Sequence, residues 1–125
     1  MRLLVCGSRS YKDYETVRDK IALCYSRCIE SDDELECIIE GGARGADKLA
    51  RKAAEYLDIP IVEYSADWNR YGKRAGYMRN EQMLREGKPD RVMAFNKGPI
   101  LTRGTHDMIR RAERVGIPTE TYYSS

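Results

Sequence analysis

The pattern that most constrains the fold of this chain is a short apolar run followed by glycine and then by an amphipathic helix. The run 2–6 is followed by Gly7, and the run 36–40 is followed by the glycine-rich turn 41–45. A short apolar run that ends in such a loop is typical of a buried strand in a parallel sheet. Because strands alternate with helices over short connections, helices should cover both faces of the sheet. We therefore predict an α/β fold, doubly wound and Rossmann-like: a three-layer sandwich around a mostly parallel five-stranded sheet with strand one central.

The spacing of apolar residues places the individual elements. Apolar positions three or four residues apart predict helices over 13–29, 46–57, 75–86 and 104–115, with Asp13 as the first N-cap. Short apolar runs predict the other strands over 36–40, 60–64, 90–95 and 118–122, the last of them peripheral. The stretch 65–76 has no clear period, so we predict a long loop there, and long loops in compact domains tend to be functional.

Composition indicates a soluble globular protein. The chain has 125 residues, 42% of them apolar and 34% charged, which fits one domain spanning 1–125. Its net charge of +2 carries no overall signature of polyanion binding, so any basic patch must be local. The longest apolar stretches fall far short of the roughly 20 residues of a membrane helix, and the N-terminus lacks a signal-peptide pattern. We expect a cytoplasmic protein with no membrane partner.

The cysteines and the single histidine do not predict a reactive centre. Cys6, Cys24, Cys28 and Cys37 lack CxxC spacing and stand in apolar patterns, so we interpret them as reduced core residues. Cys24 and Cys28 are four apart on a helix, but no second pair of metal ligands accompanies them. We therefore predict no metal site and no cofactor, and we interpret His106 as a surface residue rather than a catalytic base.

The segment Glu40–Asp47 (EGGARGAD) is the strongest candidate for ligand binding. Glycines permit close backbone approach, and the free amides in the first turn of a helix favour an anion, so we predict a phosphate here. The alternative is a tight turn whose glycines serve only steric needs, since the spacing matches neither GxGxxG nor the Walker pattern. Asp47 either complements the helix dipole or binds a ribose hydroxyl.

Two more loops join cations and hydroxyls to glycine. They are 7–10 (GSRS), which follows the central strand, and 102–105 (TRGT), which opens the last long helix. Taken alone, the first of them is equally well explained as a turn in which Ser10 opens the next helix. We call 7–10, 41–45 and 102–105 the glycine loops. All three are predicted at the carboxyl edge of the sheet, where doubly wound folds bind ligands.

The segment 67–80 concentrates aromatic and basic side chains. Arg70, Lys73, Arg74 and Arg79 stand among tyrosines and Trp68. An aromatic face can stack on a base while cations hold phosphates. The alternative is a charged lid that a buried Trp68 anchors.

Several motifs, taken in chain order, resemble those of a known family. They are VCGSRS at 5–10, EGGARGAD at 40–47, ADW at 66–68, GK at 72–73, AG at 75–76, RN at 79–80, Met83 and GT at 104–105. Together they resemble the YspA-like branch of the DprA and LOG (SLOG) superfamily. The resemblance implies a Rossmann-like fold that binds nucleotides or nucleotide-derived ligands, in sensors, binding modules or hydrolases. It also implies a homo-oligomer.

LOG enzymes release a base from a nucleoside monophosphate, and this chain departs from their motifs. Of their RKxxM motif it keeps Arg79 but has Asn80 in place of the lysine, and Met108 occupies the glutamate position of their PGGxGTxxE motif. An oxocarbenium-like transition state is helped by a nearby carboxylate, which methionine cannot supply. A phosphoribohydrolase would therefore have to pair Arg79 with Asp107 or Asp47.

We predict a domain that binds a small nucleotide-like ligand through its phosphate, as a sensor or a sequestering module. The alternatives are a LOG-like phosphoribohydrolase, with Arg79 and Asp107 as catalytic residues, and DprA-like binding of single-stranded nucleic acid, which the near-neutral net charge disfavours. The predicted ligand-binding residues are Gly7, Ser8, Arg9, Gly41, Gly42, Arg44, Gly45, Ala46, Asp47, Trp68, Lys73, Arg79, Asn80, Arg103, Gly104 and Thr105.

Overall fold

A computed structural model describes all 125 residues. Five strands alternate with five α-helices and one 3₁₀ turn. In chain order they are β1 (Arg2–Gly7), α1 (Tyr14–Glu30), β2 (Cys37–Glu40), α2 (Ala46–Leu57), β3 (Ile61–Glu63), α3 (Trp68–Tyr71), the 3₁₀ turn (Gly72–Arg74), α4 (Ala75–Gly87), β4 (Arg91–Lys97), α5 (Arg103–Arg114) and β5 (Thr119–Ser124).

The strands form one sheet in the order β3-β2-β1-β4-β5, with every neighbouring pair parallel. The chain builds outward from β1 to β3 and then crosses to β4 and β5 on the other side. This arrangement confirms the predicted doubly wound fold with a central first strand. The order of the strands reverses between β1 and β4, which is the place where such folds open a binding crevice.

Two apolar clusters fill the spaces on either side of the sheet. Leu3 and Val5 of β1 face the cluster that α1 and α2 cover, while Leu4 and Cys6 face the one that α4 and α5 cover. A strand buried on both faces has no polar side, which explains why β1 reads as a continuous apolar run. All four cysteines are buried and unpaired, as predicted. No helix combines the length and the apolar character that crossing a bilayer requires.

The segment 65–76 is more ordered than its sequence predicts. The predicted loop is wrong for Trp68–Arg74, which forms α3 and the 3₁₀ turn and runs directly into α4. Asp67 caps α3, because one of its carboxylate oxygens accepts a hydrogen bond from the Arg70 amide at 3.2 Å. A helix of one turn is too short to display an apolar stripe, so periodicity could not reveal it.

Candidate functional site

The three glycine loops meet at one cleft beyond the carboxyl ends of the central strands. Its volume is about 390 Å³. It is lined by residues from all three loops and from the segment 68–83, together with Cys6 of β1 and Asp47 of α2: Cys6, Gly7, Arg9, Ser10, Ala43, Asp47, Trp68, Lys73, Gly76, Tyr77, Arg79, Asn80, Met83, Thr102, Arg103, Gly104 and Thr105. A larger hollow of about 710 Å³ lies on the outer side of α4, but no glycine loop lines it.

Ser8, Gly45 and Ala46 hold two loops together instead of lining the cleft. The Ser8 carbonyl accepts a hydrogen bond from the Ala46 amide at 3.2 Å, and the Ser8 hydroxyl accepts one from the Lys97 amide at 2.9 Å. Gly45 has a φ of +74°, and a Cβ there would lie 2.6 Å from the carbonyl of Arg9. These residues position the cleft walls. Gly41, Gly42 and the exposed Arg44 also lie outside the lining.

The amides of the turn 41–43 are occupied by the chain's own carboxylates. Asp47 Oδ2 accepts hydrogen bonds from the Gly41 and Ala43 amides at 3.1 and 3.2 Å, and Glu40 Oε1 accepts one from Gly42 at 2.6 Å. These three amides are therefore not free for the phosphate that we predict at the segment 40–47. A phosphate placed on them would also meet two acidic side chains.

Glu40 belongs to a charged network that the sequence did not predict. It is fully buried at the end of β2, and Arg51 Nη2 lies 3.3 Å from its Oε2 and 2.8 Å from Glu63 Oε1. Burial raises the pKa of Glu40 to about 7. The i to i+11 spacing of Glu40 and Arg51 spans a turn and a helix, so no short motif marks the pair.

The first turn of α5 supplies free amides to the site. Thr102 is its N-cap residue, but its hydroxyl contacts the Thr105 hydroxyl at 2.8 Å and caps no backbone group. The first amide with a partner inside the helix is that of His106, which donates to the Thr102 carbonyl at 2.9 Å. The amides of residues 103–105 therefore have no acceptor in the protein, which is the arrangement that favours an anion at a helix start.

Asn96 fixes the loop that leads into α5, and sequence reasoning missed it. It is fully buried at the end of β4, and its Nδ2 donates to the carbonyls of Lys97, Gly98 and Ile100 at 2.9 to 3.2 Å. The sequence signal that could have identified Asn96 is the presence of a polar residue at the end of an apolar strand. The side chain gives these loop carbonyls a donor that the loop backbone does not provide.

Arg79 and Asn80 of α4 connect the loops that follow β2 and β4. Arg79 Nη1 donates to the Gly41 carbonyl at 2.8 Å, and its Nε donates to Asn80 Oδ1 at 3.2 Å. Asn80 Nδ2 in turn donates to the Gly104 carbonyl at 3.1 Å. Burial lowers the pKa of the Arg79 guanidinium below its ordinary value. One helix thus orients both ends of the cleft.

The structure separates the two carboxylates that sequence reasoning considered for a hydrolase. Asp107 does not line the cleft, and its Oδ2 accepts hydrogen bonds from Asn80 Nδ2 at 3.1 Å and Arg111 Nε at 2.8 Å. Asp47 does line the cleft, and burial raises its pKa to about 6. Any reaction in this cleft that needs a carboxylate would use Asp47 rather than Asp107.

Trp68 stands at the rim of the cleft. It is 45% exposed, so the alternative of a buried anchor is wrong. The Arg9 guanidinium lies 5.2 Å from the centre of its ring, within the range of a cation–π contact. Gly76 leaves room for the ring, since a Cβ there would lie 3.1 Å from Trp68 Cη2. The indole therefore offers an exposed aromatic surface beside a cation.

Comparison with known proteins identifies the family. The profile of the YAcAr family, described as "YspA, cpYpsA-related SLOG family", matches residues 1–71. The Gene 61 protein of Mycobacterium phage D29 is 37% identical over 128 residues, covering 94% of this chain and 92% of that protein. The solved structure of DNA processing protein A (DprA) from Streptococcus pneumoniae superimposes with a TM-score of 0.54 at 15% identity, over 95% of this chain and 58% of that one.

The three comparisons agree with one another. At 15% identity the likeness to DprA shows the Rossmann-like fold alone, whereas the family profile and the phage relative concern the sequence itself. The profile covers the first two glycine loops, and the phage protein extends the likeness over nearly the whole chain. They confirm the resemblance that the motifs suggested, and the chain belongs to the YspA, cpYpsA-related SLOG family.

Proposed function

We propose that this protein binds a nucleotide or nucleotide-derived phosphate ligand in the cleft, as a sensor or a sequestering module. The free amides of residues 103–105 carry the proposal, because they open into a cleft that also holds cations and an aromatic surface. Membership in the SLOG family supports a nucleotide- or nucleic-acid-binding module in general. A homo-oligomer remains a prediction from the family resemblance.

The cleft suits a small ligand with a charged end. Its volume of about 390 Å³ falls within the range of roughly 300–1,000 Å³ that is usual for small-molecule sites. The phosphate would lie on the start of α5, where Arg103 and Lys73 add positive charge. The base would lie toward Trp68, whose exposed ring can stack on any nucleobase.

A phosphoribohydrolase is the second candidate, because Asp47 and Arg79 line the cleft together. It is tested by incubation with nucleoside monophosphates followed by chromatography for the free base. Single-stranded nucleic-acid binding is the third, by analogy with the DNA-processing neighbour. Such binding should weaken steeply with salt, whereas binding of a small ligand should not.

Thermal unfolding in the presence of candidate ligands tests the proposal. The panel is nucleoside mono- and diphosphates, cyclic nucleotides and ADP-ribose at millimolar concentration. A ligand at about 100 times its Kd should stabilise the protein by about 2.7 kcal/mol. Arg103→Glu should abolish that gain, while Arg114→Glu, an exposed arginine at the other end of α5, should retain it. If no member of the panel stabilises the wild-type protein, the proposal is wrong.

A further inference from the structure

Two polar side chains of the cleft, the buried Asp47 and the half-buried Arg79, each keep one hydrogen-bonding atom without a partner in the protein. Asp47 is only 5% exposed, and its Oδ2 accepts two backbone amides while its Oδ1 accepts none. Arg79 uses Nη1 and Nε, whereas its Nη2 donates to no group of the protein. Both side chains line the cleft. Arg51 Nε is the one buried side-chain atom that has no partner, so the open atoms of Asp47 and Arg79 are accessible from solvent.

These two atoms require a ligand group that both donates and accepts. Asp47 and Arg79 make no direct salt bridge with each other. A carboxylate oxygen accepts only, and a guanidinium nitrogen donates only. A second phosphate would satisfy Arg79 but would repel Asp47. A hydroxyl donates and accepts at once, so a vicinal pair of hydroxyls can serve both atoms.

The other groups that line the cleft place the hydroxyls of the ligand between its phosphate and its base. The phosphate belongs at the free amides of residues 103–105, and the aromatic surface is Trp68 at the rim. In a nucleoside phosphate the sugar joins the phosphate to the base. The pair of sugar hydroxyls is therefore the part of such a ligand that the two open atoms, Asp47 Oδ1 and Arg79 Nη2, would bind.

We infer that Asp47 and Arg79 bind the vicinal hydroxyls of a ribose, so that the site takes ribonucleotides in preference to 2′-deoxyribonucleotides. This inference rests on the proposed function and specifies its ligand class. Removing one hydroxyl leaves a charged group that the bound ligand covers without its partner, which sites of this kind penalise strongly. The deoxy ligand should bind at least about tenfold more weakly.

Calorimetric titration with matched ligand pairs tests the inference. The probes are the four common ribonucleoside 5′-monophosphates, their 2′-deoxy forms, and inosine 5′-monophosphate as a change of base that keeps the ribose. The wild-type protein should prefer each ribonucleotide over its deoxy form by at least about tenfold. Exchanging adenine for hypoxanthine should change affinity much less.

Asp47→Asn turns the open acceptor into a donor and removes the negative charge of the carboxylate. The amide oxygen of asparagine can keep the hydrogen bonds from Gly41 and Ala43, while its NH₂ replaces the free acceptor in the cleft. The ribose preference should fall to within about twofold, while the loss of the carboxylate charge should change the affinity for the ribo and deoxy forms alike. Asp90→Asn is the matched control, because Asp90 also accepts a backbone amide, from Arg2, but at the opposite edge of the sheet.

The outcomes separate this inference from the proposed function. Equal binding of ribo and deoxy forms by the wild type, an unchanged ratio in Asp47→Asn, or affinity that follows the base rather than the sugar would each overturn the inference and leave the proposed function standing. No binding by any nucleotide would overturn both.

Discussion

Gly45→Ala is expected to lower the free energy of unfolding by roughly 3–5 kcal/mol, because it adds a left-handed alanine and an overpacked backbone contact at one position. Gly45 has a φ of +74°, and the added Cβ would lie 2.6 Å from the carbonyl carbon and oxygen of Arg9. Both atoms belong to the backbone, so no side-chain rotation can relieve the contact. The loops after β1 and β2 would have to separate, and the cleft wall would separate with them. Urea denaturation measures the loss.

Gly116→Ala is the control for backbone strain. Gly116 has a φ of +79°, nearly that of Gly45, but no atom lies within 4 Å of the position that a Cβ would occupy there. Its substitution should therefore cost only the penalty of a left-handed alanine, about 1–2 kcal/mol. Equal losses in the two variants would show that loop packing at Gly45 contributes nothing beyond its backbone conformation.

Arg79→Met should weaken nucleotide binding by about 10- to 100-fold, because a hydrogen bond to a charged group contributes about 1.5–3 kcal/mol. The substitution removes a donor to the ligand and also leaves the Gly41 carbonyl and Asn80 Oδ1 without their partner. It further removes the positive charge that lowers the pKa of Asp47 against the effect of burial. Calorimetric titration measures the affinity, and circular dichroism checks that the variant is folded.

Arg85→Met provides the comparison for loss of one arginine from the same helix. Arg85 is exposed, pairs with Glu81 and does not line the cleft, so its replacement should leave affinity within about twofold of the wild type. If Arg79→Met binds nucleotides as tightly as Arg85→Met does, Arg79 has no part in the site.

The fold could be predicted because its decisive signals are local. The run 2–6 is apolar on both faces and ends at Gly7, which marks a central parallel strand before any tertiary contact is known. The one-turn helix α3 gives no such signal, since four residues cannot show a period of 3.6. The sequence signal of this helix is Asp67, whose side chain caps it.

The position of the candidate site in the fold could be predicted from the sequence, but the contacts of its individual residues could not. The glycine loops do converge, because all of them follow strands of one parallel sheet. The roles within EGGARGAD differ from the prediction: its two terminal acids, Glu40 and Asp47, occupy the amides that the motif predicts for a phosphate. Which oxygen reaches which amide depends on the path of the turn. Residue spacing does not encode that path.

Amide chemical shifts during a titration test the central claim most directly, since they locate the charged end of the ligand. With the ribonucleotide that stabilises the protein best, we predict that the largest ¹⁵N–¹H shifts occur at residues 103–105, whose amides are free, and that Gly41, Gly42 and Ala43 shift little. Largest shifts at residues 41–43, or no shifts at residues 103–105, would contradict the account.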